Sequence, residues 1–157
     1  MREASLKDIT KFLECKRVAL VGVSRKRMHY SRIVLKEFLA AGYDPVTVNP
    51  HTPDIDGRRC FAALADIAPP VEAALLLLGT AEATDRAVRE CQQAGIRRIW
   101  IYKNVHDRAE HEKAMESCRR QNFILIEGYC PLMFLPRANF IHRAHGFFVK
   151  LTGNYPL

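Results

Sequence analysis

The chain has 157 residues, of which 48% are hydrophobic and 26% are charged, and its formal net charge is +7. This length suits one domain with a substantial core, and the composition is that of an ordinary globular protein. No apolar run approaches the roughly 18 residues that span a bilayer, and the N-terminus lacks the apolar segment of a signal peptide. We therefore predict a single cytoplasmic domain over residues 1–157 with no membrane partner.

The five cysteines are an odd number, and their spacings match no CxxC pair. This pattern argues against a disulfide framework and against a cysteine zinc site. We expect most of these side chains to be reduced and buried as small hydrophobic groups.

The positive charge is concentrated in two segments. Residues 15–36 contain no acidic side chain, and neither do residues 128–157. Such an excess favours an anionic partner, either the phosphates of a small ligand or nucleic acid. The cluster Arg25-Lys26-Arg27 follows a glycine at the end of a predicted strand, which favours a small ligand. Nucleic acid is disfavoured, because the cluster lacks the interleaved aromatic residues of a base-stacking surface.

Apolar runs and helical spacings predict the elements in chain order. A capping-box pattern at Ser5–Asp8 opens a short helix, and a second helix over 30–41 ends at Gly42. Further helices are predicted at about 81–94 and 107–120. Residues 51–59 are predicted to be loop, and residues 61–66 to form a short helical turn. The predicted strands are 17–23, 46–48, 73–78, 98–102 and 123–126.

Strands that alternate with helices predict an α/β, Rossmann-like three-layer domain with a five-stranded parallel sheet. Right-handed crossovers give the order 3-2-1-4-5, which places the first predicted strand beside the fourth. The ligand crevice is then expected at the carboxyl ends of these two strands, where residues 22–24 would face residues 102–104. Residues 131–157 form an apolar loop and an extra C-terminal helix in this prediction. This extension packs on the domain or forms a homo-oligomer interface.

The segment from Arg17 to Arg27 predicts a phosphate site. A buried strand that leads through a glycine turn into a helix brings backbone N–H groups and the positive helix end to one point. The dinucleotide fingerprint G-x-G-x-x-G is not met, because Ser24 and Arg27 occupy its second and third glycine positions after Gly22. Asn49 stands where an acidic residue would bind the ribose of NAD. The sequence therefore disfavours NAD.

Several segments together resemble a known family. They are VALVGVSRKR, LAAGYDPVTVNP, DIDGRRCFAALADI, EAALLLLGT and RRIWIY. Over about residues 8–130 the chain is similar to small stand-alone CoA-binding domain proteins, which are themselves similar to the CoA-binding domain of the succinyl-CoA ligase α-chain. The resemblance implies that CoA or an acyl-CoA lies across the carboxyl edge of the sheet.

The resemblance also implies which residues contact CoA. Backbone N–H groups near Gly22 and Ser24 would hold the pyrophosphate, with basic side chains offsetting its charge. After the fourth strand the family commonly has W-x-Q-x-G, where this chain has Trp100-Ile-Tyr-Lys-Asn104. At the pantetheine end, Lys103 would add a charge, or the bulk of this segment would narrow the crevice. The implied residues are Gly22, Val23, Ser24, Arg25 and Lys26 at the pyrophosphate, Asn49 and Pro50 at the adenosine half with Gly79 and Thr80 beside it, and Tyr102 and Lys103 at the pantetheine end.

The function that follows is CoA or acyl-CoA binding, without catalysis by the protein itself. The sequence shows no Ser-His-Asp arrangement and no paired carboxylates on one element. The alternatives are a small NADP-type oxidoreductase and an accessory component of an acyl-CoA ligase. As a ligase component, the chain lacks a nucleotide-grasp domain and a phosphorylatable histidine loop.

Two other groups of residues carry sharper hypotheses. His142 and His145 are spaced to share a metal on the predicted final helix, but no other ligand lies nearby, and solvated or interface histidines are favoured. Cys130 follows the fifth strand, so its thiol is a candidate for a mixed disulfide with CoA or for redox sensing. A buried, inert cysteine is the favoured interpretation.

Overall fold

Helices and strands alternate in the computed structural model of the chain, which describes residues 4–102, 116 and 118–136. The helices are α1 (Leu6–Leu13), α2 (Tyr30–Ala40) and α3 (Ala81–Gln93). The strands are β1 (Arg17–Val21), β2 (Asp44–Val48), β3 (Asp54–Ile55), β4 (Arg58–Phe61), β5 (Ala73–Leu76), β6 (Arg98–Ile101) and β7 (Ile124–Glu127).

These strands form one sheet in the order β3-β4-β2-β1-β5-β6-β7. Its neighbouring strands run parallel, apart from the antiparallel pair β3–β4. The predicted α/β, Rossmann-like class is therefore confirmed, with seven strands in place of five.

The hairpin β3–β4 was missed, because residues 51–59 were predicted to be loop. Its turn consists of Asp56 (φ 54°) and Gly57 (φ 74°), and positive φ at both positions is the geometry of a type I′ hairpin turn. Asp-Gly is the sequence signal for this turn. Strands were predicted from apolar runs, and β4 begins with the polar pair Arg58-Arg59.

The missed strand also corrects the position of β5. Counted along the chain, the six parallel strands have the order 3-2-1-4-5-6, with β4 as the third. The predicted order 3-2-1-4-5 is wrong, because it put residues 73–78 third, at the sheet edge. In the structure β5 lies directly beside β1, with Val18 opposite Ala73.

The sheet is buried on both faces. The face that carries α1 and α2 includes Phe12, Phe38 and Trp100 in its core. The opposite face packs against α3 through Val88 and Cys91. The capping box predicted at the start of α1 is present, with Ser5 and Asp8 as its two members.

Some predictions fall outside the described residues. They concern Lys103, Asn104, the helix over 107–120 except for its last turn, and the C-terminal helix with His142 and His145. Residues 118–120 are helical, as predicted. No helix within the described ranges is long and apolar enough to cross a membrane.

Candidate functional site

The site is built at the end of β1, where the chain turns into α2. We call residues 22–29 the β1–α2 turn. Gly22 has φ +90°, and a Cβ atom there would lie 2.9 Å from the Leu77 carbonyl oxygen and 2.7 Å from Leu78 Cδ2. The Leu77 N–H donates to the Val21 carbonyl oxygen at 2.8 Å. This hydrogen bond holds the two backbone segments at this distance. Only glycine combines this conformation with this close approach.

The topology of the sheet places the candidate ligand crevice between β1 and β5. The crevice predicted between β1 and residues 98–102 required these strands to be neighbours, and β5 separates them. From β1 the chain passes to α2 on one face of the sheet, and from β5 it passes to α3 on the other. Connections that diverge in this way define the switch point at which open α/β sheets bind ligands. The β1–α2 turn therefore faces the loop formed by residues 77–80, which we call the β5–α3 loop.

Side chains from neighbouring elements fix the β1–α2 turn by hydrogen bonds. Asn49 Nδ2 donates to the Val23 carbonyl oxygen at 2.9 Å. Ser31 Oγ accepts from the Ser24 N–H at 2.9 Å, and Arg32 Nη1 donates to the Ser24 carbonyl oxygen at 3.2 Å. The backbone of the turn is thus held in one conformation before any ligand arrives.

The two N–H groups expected to hold the pyrophosphate both have partners inside the protein. The Gly22 N–H donates to the Val48 carbonyl oxygen at 2.9 Å, and the Ser24 N–H donates to Ser31. The amides of Arg25 and Arg27 have no hydrogen-bond partner among the described residues, and both residues are exposed. The N–H groups available to an anion therefore lie farther along the turn than the sequence suggested.

The basic side chains at the crevice are also available. Arg25, Lys26 and Arg27 are exposed, and none of them forms an ion pair with a described residue. Guanidinium and ammonium groups in this state can meet phosphate with charge-assisted hydrogen bonds.

The Asn49 side chain stabilises the β1–α2 turn, because both its amide nitrogen and its amide oxygen form hydrogen bonds with backbone groups. Its Nδ2 binds Val23, and its Oδ1 accepts from the His51 N–H at 2.8 Å. A carboxylate could not donate to the Val23 carbonyl, since it carries acceptors only. The need for this donor explains why an amide and not an acid stands at the end of β2. The next residue, Pro50, is exposed to solvent.

The opposite wall begins at Gly79 and Thr80. Thr80 is the N-cap of α3, and its Oγ1 accepts from the Ala83 N–H at 3.3 Å. Gly79 is exposed, with no atom within 4 Å of the position of an added Cβ. The crevice therefore lies beside the positive end of the α3 dipole, which favours an anionic ligand.

Tyr102 lies beyond this wall and contacts Tyr30, a residue that the sequence interpretation had not placed in the site. Their rings stack with centroids 4.3 Å apart, and the Tyr30 hydroxyl lies 3.3 Å from Cys130 Sγ. Burial raises the pKa of both tyrosine hydroxyls above the ordinary range, so both stay neutral at physiological pH. Cys130 is half-buried, and its partner is a neutral phenol rather than a cation.

A cleft of about 450 Å³ lies at the opposite, amino end of the sheet, lined by residues that include Glu72, Gly95, Arg98 and Asn122. Arg98 there donates to Glu72 at 2.7 Å and is thereby neutralised. Gly95 follows the carboxyl end of α3, whose dipole disfavours anions. The carboxyl end of α3 and the paired Arg98 disfavour phosphate in this cleft, although Arg97 also lines it and forms no ion pair with a described residue. All five cysteines of the chain are free, and the described residues contain no cluster that could hold a metal ion.

Comparison with known proteins identifies the family. Residues 16–136 match the family model of the CoA binding domain. The chain belongs to this family. The resemblance found in the sequence is thus confirmed, and the matched region extends past residue 130 to include the turn at Pro131–Met133. Membership supports CoA-related binding. A search of the curated proteins found no match.

Solved structures share the fold. A hypothetical protein from Pyrococcus horikoshii OT3 is 27% identical, with a TM-score of 0.71 over 83% of this chain and 94% of that one. A conserved hypothetical protein from Pyrococcus furiosus is 22% identical, with a TM-score of 0.64 over 73% of this chain and 94% of that one. The dinucleotide-forming acetyl-coenzyme A synthetase 1 of Ca. Korarchaeum cryptofilum, solved with phosphate and ADP, is 18% identical, with a TM-score of 0.57 over 68% of this chain and 23% of that one. The last two comparisons show the fold alone.

Proposed function

We propose that the protein binds CoA or an acyl-CoA in the crevice between the β1–α2 turn and the β5–α3 loop. The observation that carries this proposal is the family match over residues 16–136, which includes both walls of the crevice. The electrostatics agree with it. An exposed basic cluster without ion-pair partners among the described residues and the amino end of α3 lie at the same edge of the sheet.

The phosphates are assigned to the outer part of the β1–α2 turn. Arg25, Lys26 and Arg27 supply positive charge there, and the amides of Arg25 and Arg27 supply donors. Gly22, Val23 and Ser24 form the base of the turn rather than its contact surface, because Val23 is fully buried and the other two amides have internal partners.

The two ends of the ligand are assigned from the family resemblance. The adenosine half lies toward Asn49 and Pro50 at the end of β2, with Gly79 and Thr80 beside it. The pantetheine half runs toward Tyr102 and Lys103, past the stacked pair of Tyr30 and Tyr102. A neutral aromatic surface suits the pantetheine chain, which carries no charge.

We propose that binding occurs without catalysis by this chain. One pair near the crevice has the spacing of a nucleophile and its base, since Ser31 Oγ lies 2.8 Å from His29 Nδ1. Ser31 is fully buried, however, and its Oγ already accepts from the Ser24 N–H. His29 Nδ1 also accepts from the Ser31 N–H as the N-cap of α2. The pair therefore stabilises the turn and the helix start.

A thermal-shift titration with CoA, acetyl-CoA, NAD and NADP tests this function. A ligand that binds only the folded protein raises its melting temperature by mass action. We expect CoA and acetyl-CoA to stabilise the protein at concentrations where NAD does not. Stabilisation by NADP alone would support the alternative of a small oxidoreductase, and would refute the proposal.

A further inference from the structure

Arg32, in the first turn of α2, is a buried arginine beneath the β1–α2 turn. The residue is 5% exposed. Its Nη1 donates to the carbonyl oxygen of Ser24 at 3.2 Å and to that of Arg25 at 3.5 Å. Its Nη2 pairs with the carboxylate of Asp56 in the turn of the β3–β4 hairpin. One guanidinium therefore connects the β1–α2 turn, α2 and the hairpin.

The contact with Ser24 fixes the direction of the next amide. In a planar trans peptide, the C=O of one residue and the N–H of the next point in opposite directions. Because the Ser24 carbonyl points inward to Arg32, the Arg25 N–H must point outward. This N–H has no hydrogen-bond partner among the described residues.

The details of Arg32 do not fit a role in stability alone. Its Nε is buried and has no hydrogen-bond partner among the described residues. A buried donor without a partner is a cost to the folded state, and such groups are few in native proteins. The chain nevertheless keeps a guanidinium here, where its fork reaches the turn and the hairpin at once.

Asp56 belongs to the same arrangement. The hydrogen bond and charge of Arg32 lower the pKa of Asp56, so the carboxylate is ionised at neutral pH. Its partner is consequently neutralised within the protein. Arg25 and Arg27 are exposed and form no ion pair with a described residue, so they supply the positive charge of the turn, and Arg32 acts through its geometry.

We infer that Arg32 is a positioning residue of the ligand site, which orients the Ser24–Arg25 peptide so that the Arg25 N–H donates to a phosphate, with Asp56 holding the guanidinium in place. This inference rests on the proposed function and names the donor that its phosphate uses.

Arg32→Lys is the variant that tests the role. Lysine keeps the positive charge, but its single ammonium group cannot hold two carbonyls and a carboxylate in the fork geometry of arginine. Arg17→Lys is the matched control. Arg17 pairs with Asp44 at 3.1 Å and donates to the Pro69 carbonyl, so it also bridges a carboxylate and a backbone oxygen. It lies at the start of β1, away from the crevice.

Calorimetric titration with CoA gives the affinity, and ¹H–¹⁵N spectra follow the Arg25 amide. Loss of a hydrogen bond to a charged group is expected to weaken CoA binding about tenfold or more in Arg32→Lys. Arg17→Lys should stay within about twofold of the wild type, as a variant remote from the site. In the wild type and in Arg17→Lys, CoA should move the Arg25 amide proton downfield, and in Arg32→Lys this shift should be reduced.

The possible results distinguish a failure of the role inferred for Arg32 from a failure of the proposed CoA binding. If the wild type binds no CoA, the proposed function fails. If the wild type binds CoA and the Arg25 amide does not move, the inference alone fails, whatever the variants do. Unchanged affinity in a folded Arg32→Lys protein would overturn it as well. Asp56→Asn serves if Arg32→Lys does not fold, because asparagine tolerates the positive φ of this turn. It should weaken CoA binding severalfold, and equal affinity would count against the inference.

Discussion

Gly22→Ala is expected to destabilise the fold by two separate effects at the end of β1. The first is conformational, since φ at Gly22 is +90°. The second is steric, since the new Cβ would lie 2.9 Å from the Leu77 carbonyl oxygen and 2.7 Å from Leu78 Cδ2. Leu78 can rotate away. The Leu77 oxygen cannot, because the neighbouring N–H of Leu77 is hydrogen-bonded to Val21 at 2.8 Å.

Gly42 separates the two effects. Its φ is +83°, close to that of Gly22, and an added Cβ would have no atom within 4 Å. A left-handed alanine costs about 1–2 kcal/mol, which is the whole effect expected for Gly42→Ala. Overpacking against fixed atoms adds about 1–3 kcal/mol. Gly22→Ala should therefore cost about 2–5 kcal/mol.

Urea unfolding of the wild type and both variants measures the difference, with the slope of each transition checked for constancy. The free energy of unfolding should fall further in Gly22→Ala than in Gly42→Ala by at least about 1 kcal/mol, the lower bound of the steric effect. Equal losses in the two variants would show that the β5–α3 loop does not approach Gly22 as closely as the structure places it. The position of the crevice between β1 and β5 would then lose its main geometric support.

Three further predictions concern the β1–α2 turn and its supports. Arg25→Ala combined with Lys26→Ala should weaken CoA binding and reduce its dependence on salt concentration, since exposed charges are screened by ions. Titrations at two salt concentrations measure both effects. An unchanged affinity would place the phosphates elsewhere. Asn49→Asp should weaken CoA binding and lower the melting temperature, because a carboxylate cannot donate to the Val23 carbonyl. A wild-type affinity together with a wild-type melting temperature would show that this hydrogen bond does not hold the turn. The third concerns pH. Arg32 lowers the pKa of Asp56, so the stability contributed by this pair is present above about pH 4 and is lost as the pH falls through the lowered pKa. The difference in unfolding free energy between wild type and Asp56→Asn should accordingly be constant from pH 5 to 7 and shrink at lower pH, and a difference that grows on acidification would contradict this sign.

The elements that the sequence predicted well are those whose signal is local. β1 and β5 are continuous apolar runs, and α2 shows the helical spacing of its buried side before Gly42. The hairpin β3–β4 escaped detection because its strands are short and β4 begins with two exposed arginines. Its Asp56-Gly57 turn was the available signal, and weighing it would have supplied the third parallel strand and the correct neighbour of β1.

The sequence marked the β1–α2 turn, where we propose that the ligand binds, but it did not reveal which N–H groups of the turn are available. A glycine at a strand end followed by basic residues marks the β1–α2 turn from sequence alone. The partners of the turn come from elements distant along the chain, and no spacing rule connects Val23 to Asn49 or Arg32 to Asp56. The assignment of the Gly22 and Ser24 amides to phosphate therefore missed that both are already hydrogen-bonded. Tyr30 was not predicted as a site residue for the same reason, since its stacking partner Tyr102 is distant in sequence.

The central claim is that CoA binds at the carboxyl edge of the sheet, in the crevice beside the β1–α2 turn. Mapping of backbone amide shifts during a CoA titration of the ¹⁵N-labelled protein tests it most directly. We predict that the largest shifts fall on Arg25, Arg27 and Thr80, on the two walls of the crevice. Shifts concentrated instead on Gly95, Arg98 and Asn122, around the cleft at the amino end, would contradict it.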